Sequence, residues 1–143
     1  MTEIVRSRLK LEPTALATRR IGDWLAASLA HLDTATASAL AARAELAVHE
    51  ACMNVIEHGA LPAGSTIDLA LEVTPGELVV RLVDRGAPFD PSGVAALPAD
   101  PERERGYGLT IIRSLTTAVA YRRVGEKNEL ELRMEIGGDD AQR

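Results

Sequence analysis

The chain has 143 residues, 46% of them apolar and 26% charged, which suits one domain with one core and lies far from disordered or membrane-embedded compositions. A formal net charge of −5 provides no concentrated basic surface for a nucleic-acid backbone, so direct nucleic-acid binding is not expected and any phosphate must be held locally. The single cysteine, Cys52, excludes an internal disulfide and a cysteine-based zinc cage, and its place in an apolar helical stretch marks it as a small core residue.

The opening "MTEIVRSRLKLEP" is charged throughout and lacks the apolar run of a secretion signal. No later run is long enough to span a bilayer, so a cytoplasmic protein with no membrane partner is expected. "TEIVRSRLKLE" alternates loosely and is predicted to be an edge strand stopped by Pro13. Leu16, Ile21, Trp24, Leu25 and Leu29 then recur at helical spacing, predicting a first helix over 13–31 with Pro13 tolerated in its opening turn. After the Thr/Ala/Asp stretch around 33–36, a second helical pattern runs to His58, and Gly59 reads as a left-handed residue closing it.

"TIDLALEVTPGELVVRLVD" is predicted to be a hairpin about Pro75-Gly76, with Ile67, Leu69, Leu71 and Val73, then Leu78, Val80 and Leu82, on one buried face. Residues 85–105 are rich in proline and charge and have no period, the mark of a long functional loop. "GYGLTIIRSLTT" is predicted to be a third helix opening on two glycines. "AVAYRRVGEKNELELRMEI" forms a second hairpin, and "GGDDAQR" a frayed tail. The order strand, helix, helix, hairpin, loop, helix, hairpin predicts an α+β two-layer sandwich with helices on one sheet face. Adjacent antiparallel pairs argue against a doubly wound dinucleotide fold.

Three places carry candidate chemistry. Glu50, Asn54 and Glu57 fall within one narrow arc of the second helix, among Leu46, Val48, Cys52, Met53, Val55 and Ile56. Such a stripe is either a thin solvent-exposed edge or a magnesium-nucleotide site, in which an amide oxygen serves a hard cation and a carboxylate one turn earlier accepts a proton. Zinc is rejected: "HEACM" has Met53 where a second ligand should stand, and His49 and His58 point to opposite sides of the helix. Asp84 ends a buried strand just before Gly86, which reads either as an Asp-x-Gly turn or as a carboxylate placed for an exocyclic amine such as that of adenine. Gly106 and Gly108 open the third helix behind Arg103 and Arg105, as loop punctuation or as a phosphate-binding helix start.

In this order the three places resemble the GHKL ATPase superfamily and, within it, the small anti-sigma factor serine/threonine protein kinases that act by partner switching. The resemblance spans roughly 10–136. "ELAVHEACMNVIEH" looks like the N box, "VDRGAPFDP" like the first glycine box and "RGYGLTIIRSLTTAVAYRR" like the second. It implies a Bergerat-type sandwich, a mixed but mainly antiparallel sheet with three helices on one face, as a single domain over 1–143. It further implies ATP and Mg²⁺ as cofactors, with Asn54 coordinating the metal, Glu50 as general base, and Asp84 on the adenine amine with Gly86 beside it. Residues 91–105 would be the lid, and Gly106 and Gly108 would meet the phosphates within a cofactor-binding stretch that includes Arg105, Tyr107 and Leu109.

Such kinases phosphorylate a serine on a STAS-domain anti-anti-sigma antagonist, usually work as homodimers, and in many cases capture a sigma factor once the antagonist is phosphorylated. Where many relatives carry a Thr near the start of the last strand, this chain has "GEKNELELRM", with Asn128 as a candidate replacement hydrogen-bonding group. A rival reading is a sequestering module with residual catalysis. A sensor histidine kinase fragment is disfavoured, because 143 residues leave no room for a dimerisation hairpin and none of the three His has such a setting.

Overall fold

The computed structural model describes residues 4–88 and 110–136. Strands β1 (Val5–Leu11), β2 (Ile67–Val73), β3 (Glu77–Asp84), β4 (Ala118–Val124) and β5 (Lys127–Glu135) form one sheet in the order β1-β2-β3-β5-β4. Every pairing is antiparallel, so the mixed part of the expected sheet has no counterpart among the described strands. β1 takes the edge position expected of it. The lid at 91–105, the phosphate-binding stretch from Arg105 to Leu109 and the tail at 137–143 lie outside the described residues.

The period-two pattern aligns across the sheet. Leu9, Leu69, Leu82, Leu130 and Tyr121 stand side by side in one row, and Ser7, Leu71, Val80, Leu132 and Val119 in the next. This face is covered by α1 (Arg20–Ser28) and α2 (Thr34–His58), whose Ile21, Leu25, Leu40, Ala44 and Val48 join it in one core. A helical segment over 110–115 adds the buried Ile112. Each such buried Leu or Ile side chain contributes roughly 1.5–3 kcal/mol relative to exposure. Among the described residues no helix is long and apolar enough to cross a membrane.

The outward face is charged instead. Arg81 of β3 pairs with Glu131 of β5, Arg122 of β4 with Glu129 of β5, and Arg133 of β5 with Glu77 of β3 and with Glu131 of its own strand, so opposite charges meet across both strand pairs.

Two local expectations change. The first helix is shorter than 13–31: a single turn of 3₁₀ helix at Ala17–Arg19 precedes α1, which ends at Ser28. Thr14 Oγ1 accepts from the Ala17 amide and Thr18 Oγ1 donates to the Ala15 carbonyl, so hydroxyls compete for backbone groups that a regular helix would use. Leu16, expected on the buried face, is 70% exposed in consequence. Gly59 is not left-handed: it keeps helical angles (φ −83, ψ −11) and its amide bonds the Val55 carbonyl at 2.8 Å, while Ala60 takes φ 51. Glycine stands at 59 for room, since a Cβ there would lie 2.5 Å from the Val55 carbonyl oxygen.

Candidate functional site

The buried face of α2 repeats at 40, 44, 47, 48 and 51 and, continued by one step, puts Asn54 where an apolar residue would be expected. The helix is covered on one side only, so Leu46, read as part of its apolar surface, is 45% exposed. Asn54 is buried, and its Nδ2 is the single buried side-chain nitrogen or oxygen among the described residues with no hydrogen-bond partner. An unpaired buried donor costs about 1–3 kcal/mol, so a ligand or an ordered water is expected to meet it.

The inward rows of the sheet also turn polar at one end. The alternation that gives Leu78, Val80 and Leu82 on β3 arrives at Asp84, and the one that gives Met134, Leu132 and Leu130 on β5 arrives at Asn128, directly opposite. Both are buried. Asp84 Oδ1 accepts from the Gly86 amide at 2.7 Å and from Asn128 Nδ2 at 3.0 Å. Asn128 Nδ2 also donates to the carbonyls of Gly86 at 3.2 Å and Ala87 at 2.9 Å. Its Oδ1 accepts from the Tyr121 hydroxyl and, at 3.1 Å, from Arg123 Nη1.

A cleft of about 430 Å³, counted to its open mouth, lies between α2 and these strand ends. Val55, Leu82 and Leu130 make apolar walls, and Asn54, Asp84 and Asn128 converge on it from two sides. Few polar groups in an apolar lining suit a flat organic ring system. Behind it the Cys52 thiol is fully buried and pushed up to about 12, first by desolvation and then by the negative charge of Asp84. This agrees with its expected core role.

Of the residues singled out from the sequence, Asn54 and Asp84 therefore meet at one cleft. Glu50, one turn before Asn54, is half-buried and not part of the lining. Gly86 sits behind the cleft, and the room left by its missing side chain is taken by other protein atoms. A Cβ at 86 would lie 2.3 Å from the Gly59 carbonyl oxygen and 3.0 Å from Asp84 Oδ1. The same Gly59 carbonyl accepts from the Ala87 amide at 2.7 Å, strapping the end of α2 to the end of β3. Gly86→Ala is accordingly expected to destabilise the fold by about 1–3 kcal/mol through overpacking, a fall in Tm of roughly 3–10 °C. Thermal melts followed through Trp24, the only tryptophan, measure it. An unchanged Tm would show the strap to be slack.

Sequence reasoning missed Tyr121, Gly59 and Ala87 as cleft residues. Tyr121 had a usable signal, since it lies on the inward alternation of β4 opposite Leu130.

The histidine kinase-like ATPase domain family matches residues 9–134. The chain is 30% identical over 92 residues to "Serine/threonine-protein kinase BtrW" of Bordetella bronchiseptica, a match covering 61% of this chain and 65% of that protein. In fold it is similar to a Mycobacterium tuberculosis structure of RsbU and RsbW domains (TM-score 0.65, 18% identity), with 92% of this chain and 32% of that one covered. It is also similar to the histidine kinase domain of the blue-light activated histidine kinase from Erythrobacter litoralis EL346 (TM-score 0.56, 17% identity), with 85% and 63% covered. The chain thus spans under two thirds of the length of each of these relatives. Antiparallel sheet, covering helices, and a cleft between the end of one helix and the ends of two central strands all agree with the match: the chain belongs to the histidine kinase-like ATPase domain family.

Proposed function

We propose that this chain binds Mg-ATP in the cleft and transfers the γ-phosphoryl group to a serine of a partner protein, as a partner-switching kinase. The observation that carries the reading is the convergence of a buried carboxylate and an unpartnered buried amide on one apolar-walled cleft. Asp84 Oδ1 is occupied by Gly86 and Asn128, and no hydrogen bond from a described residue reaches Oδ2, which suits it to accept from the adenine amine. Val55, Leu82 and Leu130 supply the apolar contact for the ring faces.

Asn54 stands on the helix side, where it would present an uncharged amide to the phosphates. Its oxygen is a hard donor of the kind magnesium takes. Among the described residues no three His, Cys, Asp or Glu side chains cluster as a metal cage, so a cation here would draw most of its ligands from phosphate and water. When bound, Mg²⁺ neutralises charge developing on the phosphates. Gly106 and Gly108 would hold the phosphates from the start of the third helix, flanked by Arg105, Tyr107 and Leu109, with 91–105 closing as a lid.

Glu50 is the group proposed to take the proton of the attacking serine hydroxyl. The serine oxygen forms the new bond to the γ-phosphorus, the bond to the β-phosphate oxygen breaks, and ADP leaves. Resemblance to the curated kinase supports a protein substrate, and the partner-switching class points to a STAS-type antagonist, a sigma factor as second partner, and a homodimer. The test is to incubate the purified chain with Mg-ATP and its folded cognate antagonist and to locate phosphate by mass spectrometry. One phosphoserine on the antagonist is expected. Tight ATP-dependent association with no phosphorylated residue would instead identify a sequestering module.

A further inference from the structure

The polar stripe of α2 runs further back than Glu50. At 3.6 residues per turn Arg43, Glu50, Asn54 and Glu57 fall within one arc of about 60°, with Arg43 two turns before Glu50. Its contact is with another element. Arg43 Nη2 donates to the Leu115 carbonyl at 2.9 Å, 72 positions along the chain. Leu115 is the last residue of the helical segment over 110–115, and a helix end carries carbonyls without intrahelical donors and a partial negative charge. A guanidinium answers both. The same segment is tied elsewhere to the sheet and core. Ile112 is buried in the core, and Thr117, just past the segment, donates its amide to the Arg133 carbonyl at 2.6 Å and accepts from the Glu135 amide through Oγ1 at 3.1 Å. Arg43 adds a tie to α2, on the helix face that bears Glu50 and Asn54.

We propose that Arg43 is a positioning residue: it keeps the 110–115 segment in register along this face of α2 and so holds the phosphate end of the site ready for the nucleotide. This role rests on the reading that Gly106 and Gly108, just ahead of the segment, hold the phosphates. Adenosine has no phosphate and is indifferent to the register. A triphosphate is not, because apparent affinity falls by the fraction of molecules that hold the binding-competent arrangement. Arg43 is exposed, and charged contacts in water are individually weak, so its removal is expected to lower that fraction several-fold and leave the fold intact.

The experiment titrates the full chain and its Arg43→Ala and Arg43→Lys variants with Mg-ATP and with adenosine, and records Tm without ligand. Wild type is expected to bind Mg-ATP more tightly than adenosine. In Arg43→Ala the ratio of the two affinities is expected to fall about threefold to tenfold while adenosine affinity stays as in wild type. Arg43→Lys, whose ammonium can donate to the same carbonyl, is expected to recover most of the ratio. Should Arg43→Ala not fold, Arg43→Gln takes its place in the same comparison. A lowered Tm with the wild-type ratio, or both affinities lowered alike, overturns the proposal and reduces Arg43 to a cap on the helix end. Wild type that binds adenosine as tightly as Mg-ATP overturns the phosphate reading itself, an outcome seen without any variant, and takes this inference with it.

Discussion

Asp84→Asn is expected to weaken ATP binding about 100-fold while the protein stays folded. The substitution keeps the shape and removes the charge. A hydrogen bond to a charged group is worth about 1.5–3 kcal/mol, and tenfold in affinity corresponds to about 1.4 kcal/mol. The loss is compounded because Asn128 Nδ2 holds its position through the carbonyls of Gly86 and Ala87. The introduced amide must therefore turn its one oxygen toward Asn128 and the Gly86 amide, leaving NH₂ to face the amine of adenine. Calorimetric titration with ATP and ADP, with and without Mg²⁺, measures this. Equal affinities would remove Asp84 from the base site.

Glu50→Gln is expected to separate chemistry from binding. A general base contributes between about 100- and 10,000-fold, so phosphotransfer to the antagonist should fall by that amount. Because Glu50 is half-buried and stands off the cleft lining, ATP affinity should stay within about threefold. Single-turnover transfer of labelled phosphate, read beside equilibrium ATP binding, distinguishes the two effects. Transfer at wild-type rate would exclude Glu50 as the base. Partner release that proceeds unchanged in the variant would show that the protein acts by binding.

The two hairpins were legible because a sheet buried on one face writes itself at period two, as Leu78, Val80 and Leu82 do. Asn54 and Asp84 were legible for the converse reason: each is a polar residue where its own pattern demands an apolar one. Strand order was not legible, since no local period says that β5 pairs with β3 rather than only with β4. For this reason Asn128 could be suspected as a replacement for the usual Thr, while its five-contact junction and the part played by Tyr121 could not be read. The helix predicted over 13–31 failed on the hydroxyls of Thr14 and Thr18, whose backbone bonds are specific to one conformation and leave hydrophobic spacing untouched. Gly59 misled in another way. Its missing side chain serves a close approach, and the positive φ falls on Ala60.

Strand order also sets when the cleft can come into being. Asp84 and Asn128 are 44 positions apart, and β5 enters the sheet between β3 and β4. A chain leaving the ribosome exposes its N-terminal portion first, so β1, β2 and β3 can pair with each other while the far wall is still unmade. Contacts of long sequence separation form late and slowly. Nucleotide binding therefore reports that synthesis has passed the last hairpin, and a nascent or prematurely stopped product holding only the first three strands would have a sheet yet no competence for the ligand.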